Sequence, residues 1–264
     1  MDVIVTDLDG TLLDHETYSF AGALGALSAI RDTGAKLVLC SSKTRSELDC
    51  WRQWLGARDP YIVENGGAIV WEPGYFPGDA EQLELGTPYA ILRQELAAAA
   101  KASKVRVRGF GDMDAAEVAE LCGIPLGEAE LAREREYDEP FVIVKGKPEL
   151  LIAEIEKRGL RCTRGGRFFH ILGSNGKGAA VRKLLEMFAA QGETVHSLGL
   201  GDGPNDADFL KVVDQAVLMP SPQLAQVRKL VPRTQVAEFP GSCGWNRAVI
   251  EWLGRNGDFW DKHA

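Results

Sequence analysis

Val3-Ile4-Val5-Thr6-Asp7-Leu8-Asp9-Gly10-Thr11 joins a short apolar run to two carboxylates one residue apart. A buried strand ending this way sets both acids at its carboxyl end, where open α/β sheets bind ligands. Side chains alternate along a strand, so Asp7 and Asp9 reach one side only across the strand's end. Two adjacent negative charges there need a cation. Oxygen-only ligands suit Mg²⁺, a hard ion that keeps several waters and takes few carboxylates. One acid of the pair is then free to attack phosphorus, as in enzymes that form an aspartyl-phosphate. The competing reading of Asp9-Gly10 is a hairpin turn.

Outward from this stretch the pattern alternates between strand and helix, which predicts a parallel sheet. Residues 3–6 read as a strand, 20–32 as an amphipathic helix closed by Gly34, 36–40 as a second strand and 46–55 as a helix closed by Gly56. Tyr61-Ile62-Val63 and residues 68–71 flank Glu64-Asn65-Gly66-Gly67, a hairpin signal. Pro73, Gly74, Pro77 and Gly78 then mark a linker. Beyond it come a helix holding the alanine run 97–100 and a strand 105–109. Next is a helix opened by Asp114 with Glu117 three residues on, which is capping-box spacing. A strand 141–144, a helix from Pro148 to Gly159 and a strand 167–172 complete a small α+β unit. The βα alternation resumes with helices 178–191 and 206–213, strands 195–200 and 216–219, and helices at Leu224–Leu230 and 245–253. The expected architecture is α/β: a Rossmann-like parallel-sheet core from residues 1–80 and 174–264, with residues 81–173 inserted as an α+β cap.

Bulk composition narrows the function. The 264 residues are enough to bury a sizeable core, and the formal charge of -8 argues against a general nucleic-acid or anionic-membrane binder. Five cysteines without a C-x-x-C pair fit neither a disulfide framework nor a structural zinc site. No stretch has the length and apolarity of a bilayer span, and no leader pattern precedes the first strand. A soluble protein of the cytoplasm is the expectation.

Three further motifs bear on chemistry. Ser41, in Cys40-Ser41-Ser42-Lys43-Thr44-Arg45, follows a strand and can donate to a phosphoryl oxygen; a helix N-cap is the compatible plain reading. Lys177 starts a helix after Gly173-Ser174-Asn175-Gly176, where a cation opposes the helix dipole unless an anion compensates it. A P-loop fails there, because Ile171 stands at its first glycine and Gly178 at its Ser/Thr. Gly201-Asp202-Gly203-Pro204-Asn205-Asp206 follows another strand, and Pro204 defeats both a dinucleotide fingerprint and an EF-hand loop. Asp202 can complete the metal site begun by Asp7, with Asn205 and Asp206 orienting it from behind. His170, in Phe168-Phe169-His170-Ile171, reads as a strand histidine rather than a catalytic base.

These four motifs, in this order, resemble the haloacid dehalogenase superfamily of phosphatases, and the inserted block is similar to the cap of its Cof-type branch. A closer resemblance, to the mannosyl-3-phosphoglycerate phosphatases, is carried by Leu39-Cys40-Ser41-Ser42-Lys43-Thr44-Arg45, Glu64-Asn65-Gly66, Glu134-Arg135-Glu136-Tyr137, Gly166-Arg167-Phe168 and Gly199-Leu200-Gly201-Asp202. The resemblance implies a small phosphorylated sugar-glycerate as substrate, hydrolysed to mannosylglycerate, a compatible solute, and phosphate. It leaves open a related sugar-phosphate phosphatase, acting on glucosyl-3-phosphoglycerate or sucrose phosphate, and a sugar phosphomutase. It also implies Asp7 as nucleophile, Asp9 as acid and base, and Ser41 and Lys177 on the phosphoryl charge. Mg²⁺ would sit on Asp7, the Asp9 main-chain carbonyl and Asp202. Lys43 and Arg45 suit the glycerate carboxylate, Glu64 and Asn65 sugar hydroxyls, and Arg135 and Arg167 contacts from the cap. Each of these six reads equally well as a surface charge or turn residue. Oligomeric state is not legible.

Overall fold

The computed structural model describes residues 1–164 and 168–256. Its twelve strands in chain order are β1 (Asp2–Thr6), β2 (Lys36–Leu39), β3 (Tyr61–Val63), β4 (Ala68–Val70), β5 (Gln82–Glu84), β6 (Arg106–Gly109), β7 (Glu139–Lys145), β8 (Arg161–Arg164), β9 (Phe169–Leu172), β10 (His196–Gly201), β11 (Gln215–Leu218) and β12 (Gln235–Val236). The α-helices are α1 (Leu24–Thr33), α2 (Arg45–Leu55), α3 (Tyr89–Ser103), α4 (Ala115–Cys122), α5 (Leu126–Ala132), α6 (Pro148–Glu156), α7 (Lys177–Ala189), α8 (Ala207–Leu210), α9 (Leu224–Leu230) and α10 (Gly241–Asn256). Among the described residues no helix is long and apolar enough to cross a membrane.

A parallel sheet in the order β12-β11-β10-β1-β2 forms the α/β core. Alternation decides which side each β1 residue serves. Ile4 packs with Ala26, Leu27 and Ile30 of α1 and with Trp245, Val249 and Trp252 of α10. Val3 and Val5 pack on the other face, with Val181, Leu184 and Phe188 of α7 and Phe209 of α8. Burial on both faces explains why β1 is continuously apolar.

Residues 89–172 carry a separate antiparallel sheet, β6-β7-β9-β8. Leu92 and Leu96 of α3 and Leu151 and Ile155 of α6 pack against Phe141 and Ile171. Phe110, Met113, Val118 and Ala129 form a smaller core with α4 and α5. Asp114 accepts from the Glu117 N–H while the Glu117 carboxylate accepts from the Asp114 N–H, closing the capping box that opens α4.

Several elements differ from the sequence reading for local reasons. β5 pairs with β4, so the core-side sheet β3-β4-β5 continues past the boundary expected at residue 80. Polar β8 and β12 lack the apolar alternation that marks a strand. The helix expected over 206–213 is instead a tight turn, Pro204–Asp206, followed by the four residues of α8. Asp206 turns its carboxylate back onto the N–H groups of Asp202 and Gly203, which fixes the turn. The last strand of the inserted block is described from Phe169; Arg167 lies outside the described residues.

The inserted unit docks on the core through a few buried bonds. Glu64 accepts from the main-chain N–H groups of Glu136 and Tyr137, and Tyr137 belongs to the core cluster. Gly67 must be glycine here, since a Cβ would lie 2.4 Å from the Tyr137 Cβ. Arg135 donates to the Ser42 carbonyl at 2.7 Å and Thr44 to the Leu131 carbonyl at 2.9 Å. The inserted block therefore rests directly over the turn that follows β2.

Candidate active site

Parallel register brings distant motifs to one edge. Thr6 lies level with Leu200 on one side and Leu39 on the other. Asp7, the Ser41 turn and Asp202 consequently leave the sheet at the same end. The Asp7 N–H continues the pairing to the Leu200 carbonyl at 3.0 Å, and the Cys40 N–H reaches the Thr6 carbonyl at 2.8 Å. Buried Thr6 donates to the Asp7 carbonyl and accepts from the Trp245 indole, so the main chain beneath the nucleophile candidate is fixed.

Each position of the first motif has a physical reason. Gly10 sits at φ +75, and a Cβ there would lie 2.8 Å from Asp202 Oδ2. Thr11 points its hydroxyl towards Asp202 Oδ1, 3.4 Å away. The turn after Asp9 thus presses directly against the Asp202 carboxylate. Ser221 holds Asp202 from the far side by donating to its carbonyl at 2.9 Å.

Lys177, the first residue of α7, is buried between two acids. Its Nζ lies 2.7 Å from Asp7 Oδ1 and 2.6 Å from Asp206 Oδ1. Gly66 and Gly178 admit the start of α7. A Cβ on Gly66 would meet the Gly176 carbonyl oxygen at 2.4 Å, and one on Gly178 the Asp208 carbonyl oxygen at 2.7 Å. Burial alone would lower the lysine's pKa; Asp206 and Asp7 overcome it and hold the ammonium above its ordinary range.

The carboxylates are crowded. Asp7, Asp202 and Asp206 each bring an oxygen within 4.8 Å of the others. Burial, reinforced by Asp206 and Asp9 against Lys177, pushes Asp7 up to about 7. Burial, with Asp206 and Asp7, pushes Asp202 up to about 8. Asp206 is 0% exposed and already bonded to Lys177 and to two backbone N–H groups. Of the three acids, Asp7 and Asp202 are the ones that line the cavity. Four carboxylates, counting Asp9, face only two ammonium groups, Lys177 and Lys43, an excess that a divalent cation would balance. The oxygen-only donor set fits a hard ion.

Asp9 Oδ2 pairs with Lys43 at 3.1 Å, while its Oδ1 is buried without a partner. Lys43 also approaches Glu47, and the two acids raise its pKa against the pull of burial. A cavity of about 320 Å³ opens here, lined by Asp7, Asp9, Lys43 and Asp202 from the core and by Arg135, Phe110, Phe168 and His170 from the inserted block. Ser41 is buried beneath it and accepts from the Lys43 N–H at 3.3 Å, while Ser42 lines the cavity. Asn205 donates to Asn65 at 3.3 Å.

Three of the six residues expected to touch substrate are placed elsewhere. Glu64 is 1% exposed, and its oxygens accept backbone N–H groups of the inserted block rather than facing the cavity. Asn65 is buried between Asp138 and Asn205. Arg45 bonds Gln82 and lines a different cleft with Asp49 and Arg52. Lys43 and Arg135 do line the cavity, and Arg167 lies outside the described residues. Phe110 and Phe168 line it without having been expected there, and so does His170, which read as a plain strand histidine, because their partners arrive by pairings that no local pattern encodes.

Residues 4–78 match the family described as haloacid dehalogenase-like hydrolase. A Methanococcoides burtonii protein named glucosyl-3-phosphoglycerate/mannosyl-3-phosphoglycerate phosphatase is 38% identical, over 96% of this chain and 98% of its own. A Persephonella marina protein of the same name is 39% identical, over 94% and 95%. The mannosyl-3-phosphoglycerate phosphatase of Pyrococcus furiosus is 33% identical, over 82% and 90%. Among solved structures, a subclass IIB sugar phosphatase of the HAD superfamily superposes with a TM-score of 0.68 at 16% identity, covering 96% of this chain and 99% of its own.

Proposed function

The chain belongs to the haloacid dehalogenase-like hydrolases, and from that membership we propose that it is an Mg²⁺-dependent phosphatase of mannosyl-3-phosphoglycerate, with the glucosyl analogue as a second substrate. The observation that carries the reading is the convergence of Asp7, Asp9 and Asp202 on one cavity that also holds Lys43 and Arg135, with Lys177 buried behind Asp7 and paired to it. The names of the similar proteins supply the glycosyl-phosphoglycerate. Two cations near the leaving group suit its carboxylate.

In the proposed reaction Lys177 holds Asp7 Oδ1, so Oδ2 is the attacking oxygen. The Asp7–phosphorus bond forms as the bond to the glycerate oxygen breaks, and Asp9 delivers a proton to that oxygen. Asp9 next takes a proton from water. The water oxygen bonds phosphorus, the Asp7–phosphorus bond breaks, and inorganic phosphate leaves. Lys43, paired with Asp9 Oδ2, keeps Oδ1 for these transfers. Lys177 and the Ser41 turn stabilise the charge on the equatorial oxygens. Asp7, Asp202 and the Asp9 main-chain carbonyl would hold Mg²⁺, which when bound offsets the carboxylates and polarises the phosphoryl group. The inserted block acts as a cap that excludes water and reads the leaving group.

The test is phosphate release from a panel of mannosyl- and glucosyl-3-phosphoglycerate, sucrose phosphate and hexose phosphates, before and after chelation. The glycosyl-phosphoglycerates are expected to be fastest and chelation to stop turnover until Mg²⁺ is restored. Equal rates on plain hexose phosphates, or activity that survives chelation, would contradict the reading.

The raised acids also set a pH signature. A carboxyl whose folded pKa lies above its unfolded value stabilises the fold at low pH and loses that contribution as pH rises through the folded value. For Asp7 and Asp202 the loss begins as pH rises past the ordinary carboxylate value of 3.8 and is complete near pH 7 and pH 8 respectively. Metal binding needs the ionised forms and grows with pH. Mg²⁺ is therefore expected to raise the melting temperature more at pH 8 than at pH 6; a shift independent of pH would count against these ligands.

A further inference from the structure

His170 has no part in the chemistry assigned to Asp7, yet it lines the same cavity. Its Nδ1 lies 3.0 Å from both oxygens of Asp138, which is 0% exposed. Asp138 Oδ2 also accepts from Asn65 Nδ2 at 2.7 Å. Asn65 in turn accepts from Asn205, three residues beyond Asp202. A buried chain of side chains thus runs from the Asp202 loop to the imidazole. With a carboxylate accepting at Nδ1, the ring carries a hydrogen there, and Nε2 is the ring nitrogen left for a ligand.

A histidine that merely filled space would need no fully buried carboxylate behind it, since burying a charge is costly unless it is paired and bonded. Beside His170 stand Phe110 and Phe168, edge to face with centroids 5.0 Å apart at 82°. An apolar wall with one oriented polar atom is the usual make-up of a small-molecule site. We propose that His170 is a specificity-determining residue, its Nε2 hydrogen-bonding a hydroxyl of the polyhydroxylated leaving group while Asp138 and Asn65 act as positioning residues. The proposal rests on the phosphatase reading above and deepens it. It involves no contact with the phosphoryl group, so its effect depends on what is attached to the phosphate.

The experiment compares kcat/KM of wild type, His170→Phe, His170→Gln and Asp138→Asn on two substrates. One is whichever sugar phosphate of the panel wild type hydrolyses fastest; the other is p-nitrophenyl phosphate, which has no hydroxyl to read. If that best sugar substrate is not a glycosyl-phosphoglycerate, the functional reading fails while the comparison still tests His170. His170→Phe is expected to lose about 30-fold or more on the sugar substrate, as a site that loses a hydrogen-bond partner does, and no more than about threefold on the aryl substrate. Asp138→Asn should lower the same ratio to a lesser degree, and His170→Gln should retain part of the discrimination through its amide. If His170→Phe does not fold, the other two variants carry the comparison. Equal losses on both substrates, or an unchanged ratio, would overturn the proposal.

Discussion

Asp7→Asn is expected to release phosphate at least about 10⁴-fold more slowly than wild type, because a carboxamide has no anionic oxygen to attack phosphorus. The fold should survive the change. The carboxamide keeps the shape of the aspartate, and its oxygen still accepts from Lys177 where Asp7 Oδ1 does, at 2.7 Å. It also removes one of the charges crowded against Asp206 and Asp9, so the metal-free melting temperature should not fall. Steady-state phosphate release alongside thermal unfolding separates the two effects. Turnover near the wild-type rate would remove Asp7 from the chemistry.

Lys177→Met is expected to cost both stability and rate. The lysine is fully enclosed between Asp7 and Asp206, and its loss leaves those carboxylates facing each other without a cation. Breaking a buried pair from one side costs about 3–5 kcal/mol. Losing one donor to the phosphoryl charge costs about 10²–10³-fold in kcat. The stability term is present in full at neutral pH. The two acids hold the ammonium above its ordinary range, so its contribution would be lost only in strong alkali. Combining Lys177→Met with Asp206→Asn should restore part of the stability by removing one uncompensated charge, and none of the activity. Denaturant unfolding of both variants checks this; a Lys177→Met protein as stable as wild type would contradict the burial argument.

The core of the site was legible because strand ends are local features. The apolar run before Asp7, the strand before Asp202 and the helix start at Lys177 each fix where a side chain leaves an element. Parallel register then brings them together without further information. The residues expected to touch substrate depended on what the inserted block lays over them. Glu64 and Asn65 sit in a turn that looked open, but the backbone of Glu136 and Tyr137 and the carboxylate of Asp138 cover it from more than seventy residues away. Arg45 follows Lys43 by two residues, and as the first residue of α2 it points to Gln82 instead of the cavity. His170 read as an ordinary strand residue because Asp138 reaches it through the antiparallel pairing of β7 with β9, which the sequence around either residue does not encode.

The most direct measurement is to quench the enzyme during turnover, reduce with borohydride and map the modified peptide. A phosphorylated aspartate is converted to homoserine by this treatment, and the modification is expected at Asp7, dependent on substrate and absent from Asp7→Asn. Full turnover with the modification at another residue, or with none trapped in a single-turnover burst, would contradict that assignment.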